Sequence, residues 1–238
     1  MDLYLFVLLS VGIFVGFYVQ TVIGFAGSLM ALPILLFGMQ LPDAVAYISI
    51  FYLFSSAFLI KKEWENIDKS MILKLATASI IGVVLGILVL TFSKPIFLKK
   101  ALGLFILLYL GYVYFGKNKI KFNKSGVTSL GVMAGFFSGI FSTGGPLYVI
   151  CVENSVKDIK AFRATMIGVL GLVTITRVPA LAISGILNFS HLKMTLLVFP
   201  AFLFAQFLGK RTFKEINENL FKKLLMILLC ISALILIF

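Results

Sequence analysis

Negative charge is scarce in this chain, and so are the side chains that build enzyme and metal centres. Among 238 residues there are nine Asp or Glu, one His, two Cys and one Trp. The acids Asp2, Asp43, Glu63, Glu65, Asp68, Glu153, Asp158, Glu215 and Glu218 all fall at the ends of apolar segments or between them. No carboxylate proton relay or carboxylate-lined cation site is therefore expected to cross a membrane centre. There is no His/Glu pair at metalloprotease spacing, no Walker-type loop and no Cys/His cluster, which argues against intramembrane proteolysis, ATP-driven transport and divalent-metal export. The chain reads as a non-enzyme without cofactor or metal. Glu153, just behind a broken segment, is the one acid kept as a candidate for proton coupling. Cys151 and Cys230 lie in apolar runs, where a thiol acts as a small hydrophobe, so no disulfide is expected. Met1-Asp2-Leu3-Tyr4 carries no basic n-region, so no removable signal peptide is expected either. Nucleic-acid binding has no folded basic module to support it.

What is present in excess is apolar surface. Hydrophobic residues make up 61% of the chain and charged residues 13%, with a mean hydropathy of +1.12. That composition describes an integral membrane protein. Apolar stretches of roughly twenty residues match helices crossing about 30 Å of hydrocarbon, rather than barrel strands. Helices are predicted over 3–22, 28–38, 43–60, 71–92, 97–116, 126–141, 146–154, 161–186, 193–208 and 220–237. The net charge of +12 orients the chain and binds anionic lipid, or forms a cationic vestibule for anions.

One pattern occurs twice. Gly24-Phe25-Ala26-Gly27-Ser28 interrupts the first apolar stretch, and Ser142-Thr143-Gly144-Gly145-Pro146 interrupts another, 118 residues on when counted from Gly27 to Gly145. The correspondence continues from Asp43-Ala44-Val45-Ala46-Tyr47 to Ala161-Phe162-Arg163-Ala164-Thr165, and from Leu98-Lys99-Lys100 to Phe221-Lys222-Lys223 at an offset of 123. Two homologous halves follow, at 1–116 and 126–238, joined by a basic cytoplasmic linker at 117–125.

Charge sidedness tests how each half crosses. If 3–38 and 126–154 cross once each, basic loops divide almost evenly. If each enters, breaks at its glycines and returns, the basic clusters at 61–74, 117–124, 157–163 and 210–223 share one face, leaving Lys94, Lys99, Lys100 and Lys193 opposite. The second arrangement satisfies the positive-inside rule. Each half is then a glycine-broken helical hairpin plus three transmembrane helices, an odd number of crossings, so the halves are inverted. The fold expected is an all-α integral membrane protein of two inverted repeats, a common plan among secondary transporters. About 50 Å of helix at 3–38 is also long for one modestly tilted span. In the alternative, 3–22 spans alone and 28–38 lies in the interface.

Backbone that leaves the helix inside lipid strands polar groups unless they line a cavity or meet a ligand. Helices restarting near Ser28 and Pro146 present N–H groups and the positive ends of their dipoles, an arrangement suited to an anion. Gly24, Gly27, Gly144 and Gly145 permit bending and close approach, and Ser28, Ser142 and Thr143 add hydroxyls. The same glycines are also what tight helix packing requires. Gln20, Thr21 and Ser138, just before the breaks, read as pocket residues or as interhelical hydrogen-bonding groups. Arg163 and Arg177 lie fourteen residues apart on one segment, on one face and about 21 Å apart along the axis. Arg163, with Thr165 nearby as a donor, and Arg177, deep in an apolar run, are candidate anion ligands. Arg177 has a structural reading too, bonded to carbonyls freed by Pro179. His191 is expected in a solvated outer loop.

At these residues the chain resembles the sulfite exporter TauE/SafE family of membrane anion permeases. The resemblance rests on Gly-Phe-Ala-Gly-Ser-Leu-Met-Ala-Leu-Pro at 24–33, Gly-Ile-Phe-Ser-Thr-Gly-Gly-Pro-Leu at 139–147, Phe162-Arg163-Ala164-Thr165, and Ile67-Asp68 ahead of a span. It implies a protein that moves sulfite, sulfonates and related sulfur oxyanions across the bacterial inner membrane; alternating access, by one half rocking against the other, is expected from the inverted repeats. Its glycine-rich turns map to Gly24, Gly27, Gly144 and Gly145. Phe25-Ala26 departs from the glycine-richer run common there, so unequal half-sites are expected. The expected partners are a small anionic substrate and the lipid bilayer; a homodimer is left open. A passive anion channel and an assembly or maturation factor without transported substrate remain as alternatives.

Overall fold

The computed structural model describes residues 3–63, 67–115, 124–153, 156, 159–215, 226–227, 230 and 233–234. Among them there are helices and no strand: α1 Leu3–Ile23, α2 Gly27–Leu35, α3 Leu41–Glu63, α4 Lys69–Phe92, α5 Pro95–Phe115, α6 Lys124–Phe141, α7 Gly145–Val152, α8 Ile159–Ile183 and α9 Phe189–Glu215. Five of these, α1, α3, α4, α8 and α9, contain apolar stretches long enough to cross a membrane, and Ser125–Phe141 is a shorter apolar helix. The chain is thus an all-helical, multi-pass membrane protein. Most of the expected helix at 220–237 and most of the linker at 117–125 lie outside the described residues.

Element positions follow the hydrophobic runs, with ends set by local chemistry. Asp68 caps α4, its side chain accepting the Met71 N–H at 3.0 Å, which starts that helix two residues ahead of the expected 71. The largest boundary difference is α9, expected over 193–208 and found over Phe189–Glu215. Lys210 and Arg211 are good helix formers, so the helix runs past the end of its apolar stretch. At its start, Asn188 supplies a cap, with Oδ1 accepting the Ser190 N–H at 3.1 Å. That cap overturns the expectation for His191. The residue sits in the first turn of α9 rather than in a solvated loop, and it is 4% exposed. Its ring lies 4.8 Å from that of Tyr47.

Both interruptions fold the chain back on itself. A Cβ at Gly16 would meet the Ala31 Cβ at 2.8 Å, one at Gly12 would meet Leu35, and one at Gly38 would meet Tyr4 and Leu8. Residue numbers fall along one helix as they rise along the other, so α2 returns antiparallel along α1. It is buried from Gly27 to Pro33, and is not an interfacial helix. The second break is built alike. Gly27 lies against Gln20 and Gly16, and Gly144 lies against Ser138 and Ala134.

The remaining packing is reciprocal: α1 lies along α9, α4 along α6, and α3 along α8. Glycines set the α4–α6 approach. A Cβ at Gly82 would stand 2.6 Å from the Phe136 backbone nitrogen, and one at Gly139 2.9 Å from the Gly86 Cα. The two helices meet backbone to backbone through Gly82/Gly86 and Gly135/Gly139, small residues four apart on each. Ile80, Ile81, Val84, Leu85 and Leu88 of α4 are exposed on the other side. In the other pair Gly209 of α9 lies against Thr21 of α1. The rings of Phe17, Phe51 and Phe202 join α1, α3 and α9 at centroid distances of 5.2–5.9 Å.

Candidate functional site

The two breaks touch. Ser28 Oγ donates to the Ser142 carbonyl at 2.6 Å, and a Cβ on Gly145 would lie 3.4 Å from Phe25. Three residues at the breaks adopt the left-handed region: Gly24 at φ +94°, Ala26 at +68° and Ser142 at +56°. For Ala26 and Ser142 that conformation costs about 1–2 kcal/mol each. Both hairpins hold such a residue at one junction. The incoming helices end in the same way, Gly24 N–H donating to the Gln20 carbonyl at 2.7 Å and Ser142 N–H to the Ser138 carbonyl at 2.9 Å.

Each arginine of α8 serves one break. Arg163 Nε donates to the Thr21 carbonyl at 2.9 Å, its guanidinium carbon stands 4.3 Å over the Phe213 ring, and a Cβ on Gly24 would be 3.0 Å from the Arg163 backbone. Arg177 Nη1 donates to Ser138 Oγ at 2.7 Å and to the Ser138 carbonyl at 3.3 Å. Both cations therefore meet carbonyls in the last turns of the incoming helices α1 and α6, where the helix dipole is negative.

Arg177 is the centre of the site. It is 1% exposed, with Nε donating to Ser49 Oγ at 3.0 Å and Nη2 to Thr174 Oγ1 at 3.1 Å, beside the Tyr52 ring at 5.5 Å. A guanidinium has five N–H groups, so among the described residues one N–H on Nη2 is unused. No carboxylate of the described residues pairs with it. Ser49 Oγ also lies 3.4 Å from Ser142 Oγ, and Tyr52 OH accepts the Ser28 N–H at 3.2 Å. One hydroxyl network thus links the arginine to both breaks. Among the described residues, Gln20 Nε2 and Oε1, Ser56 Oγ and Thr143 Oγ1 are buried without a hydrogen-bond partner. Buried groups in this condition are rare and call for water or a ligand.

The expected site residues thus divide. Ser28, Ser138, Ser142 and Arg177 are brought into one network. Gly27 adjoins Gln20, Gly144 adjoins Ser138, and Gly145 meets the first break at Phe25. Thr143 lies in the second break. Gly24, Thr21 and Arg163 form a separate group at the start of the first break. Thr165 stands apart, accepting the Asp68 N–H at 3.0 Å and so tying α8 to the start of α4. Glu153 is exposed at the end of α7. Sequence reasoning missed Ser49, Tyr52 and Thr174. Their signal was spacing: Ser49, Tyr52 and Ser56 form a polar stripe on an apolar helix, and Thr174 sits three residues before Arg177. No group of three or more His, Cys, Asp or Glu that could hold a metal occurs among the described residues.

A multi-pass helical protein whose two broken hairpins meet at a buried arginine, with no carboxylate beside it among the described residues, has the build of a membrane permease. The chain belongs to the sulfite exporter TauE/SafE family, whose profile matches residues 8–236. It is accordingly a membrane transporter of the exporter type that family comprises. No curated protein and no solved structure matches the chain.

Proposed function

We propose that the chain is a secondary transporter of a small anion, a sulfite-like sulfur oxyanion or organosulfonate, working by alternating access in the cell inner membrane. The observation that carries this reading is Arg177: a cation buried between two helix breaks, bonded to hydroxyls and a carbonyl alone. A lone buried charge costs several kcal/mol, and an anion that accepts from its free N–H offsets that cost. Ser28, Ser49 and Ser142 re-aim by rotation about one bond, and the orphaned groups of Gln20 and Thr143 supply further contacts.

The inverted-repeat reading, with halves at 1–116 and 126–238, is supported by the exchange of partners. In the first half α1 lies on α9 of the second, and α6, the counterpart of α1, lies on α4, the counterpart of α9. Even the contact of Gly86 with Gly139 has its image in Gly209 with Thr21, at the offsets of 123 and 118 seen in the sequence. Rocking of one half against the other then exposes the junction to each face in turn.

The test is flux through purified protein in liposomes. Uptake of labelled sulfite, sulfoacetate or thiosulfate is expected to saturate and to be stimulated by the same anion on the opposite side; a chain moving none of them would not be a carrier of this class. A second measurement concerns Thr143→Val, which removes an unpartnered buried hydroxyl at constant volume. Thermal stability should hold or rise, by up to about 1 kcal/mol, while half-saturation for the anion rises about tenfold, the loss of one hydrogen bond of about 1.4 kcal/mol.

A further inference from the structure

Side-chain hydrogens at the junction outnumber the side-chain acceptors left to take them. A hydroxyl carries one hydrogen and two lone pairs, so the direction of each bond follows from where that hydrogen goes. Ser28 gives its hydrogen to the Ser142 carbonyl at 2.6 Å, Ser49 to the Val45 carbonyl at 2.6 Å, and Thr174 to the Leu170 carbonyl at 2.7 Å. The second buried tyrosine is committed as well. Ser79 donates to the Leu75 carbonyl at 2.6 Å, so Tyr148 is the donor in its own 2.6 Å contact with Ser79.

Other donors are left over. The Tyr52 hydroxyl accepts the Ser28 N–H at 3.2 Å, and for its own hydrogen it has Ser28 Oγ at 3.4 Å. Because Ser49 donates to Val45, the 3.4 Å contact between Ser49 and Ser142 makes Ser142 the donor. Both distances exceed the range of a good O–H···O bond, about 2.5–3.0 Å. Thr143 Oγ1 has no partner among the described residues, and one N–H of Arg177 Nη2 is unused beside the bond to Thr174. These groups converge. Contacts run without a gap from Ser28 through Ser142 and Ser49 to Arg177, the Tyr52 ring stands 5.5 Å from the guanidinium carbon, and Thr143 follows Ser142 in the chain. Among the described residues none of them bonds to a carboxylate or an imidazole. Gln20 Oε1 is an acceptor without a donor, but it lies against Gly27 on the side that packs on α1, and Nε2 of the same amide is a further unpartnered donor.

An oxyanion with an O–H of its own must find an acceptor for that hydrogen once it leaves water, and binding is weakened if it does not. An oxyanion without hydrogen accepts at every oxygen. We propose that the junction selects small oxyanions by their hydrogen content, taking those with no O–H, such as a sulfonate, thiosulfate or the sulfite dianion, over hydrogen-bearing ones such as hydrogenphosphate or hydrogensulfite. This rests on the anion-transporter reading above and deepens it. A buried arginine by itself attracts any of these ions, whereas the uncommitted hydroxyls around it tell them apart.

Methanesulfonate and hydrogen methylphosphonate form a matched pair of one charge and one tetrahedral shape, differing by the hydrogen on one phosphonate oxygen. Titration calorimetry on the purified full chain, at a mildly acidic pH where the phosphonate keeps that hydrogen, reads the binding of each. Methanesulfonate is expected to bind at least about tenfold tighter, the usual consequence of leaving one buried polar group unpaired. Thr143→Asn brings a carboxamide oxygen to the junction, and should shrink that preference about threefold or more. Thr143→Val adds no acceptor, so it should weaken both anions and keep the preference. Equal binding of the two anions, or a preference that Thr143→Asn leaves intact, would overturn the selection while the anion site itself stood. Binding of neither anion to the native chain would overturn the site, and with it the transporter reading on which the selection rests.

Discussion

Arg177→Gln is expected to lower saturable anion uptake at least about 100-fold, a loss of about 2.7 kcal/mol, without lowering thermal stability. The two halves of that expectation come from one fact. The guanidinium is buried and lacks a carboxylate among the described residues, so it destabilises the protein by its desolvation while offering its charge to a ligand. Replacing a poorly compensated buried charge with a neutral side chain is commonly neutral or stabilising. Arg177→Lys retains the charge but loses the planar fork that reaches Ser49, Ser138 and Thr174 together, and should fall between, about tenfold below the native rate. A purely structural arginine predicts the reverse order: stability lost with Gln, and flux lost only in proportion to the protein that unfolds. Measuring initial uptake and melting temperature on the same preparations separates the two.

Gly82→Leu should prevent α4 from seating on α6. A Cβ alone would come within 2.6 Å of the Phe136 nitrogen and 3.0 Å of the Gly135 carbonyl carbon, and these are backbone atoms that no rotamer change can move. Overpacking of ordinary cores costs about 1–3 kcal/mol, and a backbone contact that cannot relax lies at or above the upper end. The expected result is loss of monodisperse protein after detergent extraction, or a melting temperature at least 10 °C lower, about 3 kcal/mol on the scale of larger domains. Gly111→Leu is the control, because a Cβ at Gly111 meets nothing within 4 Å. If Gly82→Leu melted with the native chain while retaining flux, the close α4–α6 approach would not be what holds these helices.

The breaks at 24–28 and 142–146 were legible because lipid tolerates glycine and small polar residues in a row, inside an apolar stretch, only where the freed backbone finds partners. Arg177 was legible for the same reason, as a cation where hydrocarbon cannot solvate one. Arg163 was legible as an unusual residue but not as to its partner. Its contact with the Thr21 carbonyl joins residues 142 apart in the chain, and no local pattern reports such a contact. Ser49 and Tyr52 went unnoticed because serine and tyrosine are common in membrane helices, and their meaning came from facing Arg177. His191 was misjudged because a polar residue near an asparagine reads as a loop, whereas here the asparagine caps a helix that buries the histidine against Tyr47.

Apolar run length, the paired interruptions and the distribution of basic residues carry the membrane character, the helix count along most of the chain and the location of a polar centre. These are one-dimensional properties, dictated by the cost of exposing backbone and charge to hydrocarbon. Which helix lies on which was settled by glycine faces and ring packing between residues far apart, so folding had to bring Ser28 to Ser142 and Arg177 to Ser138. Chemistry at the junction depends on distances of about 3 Å between different helices, and periodicity along a single helix carries no information about them.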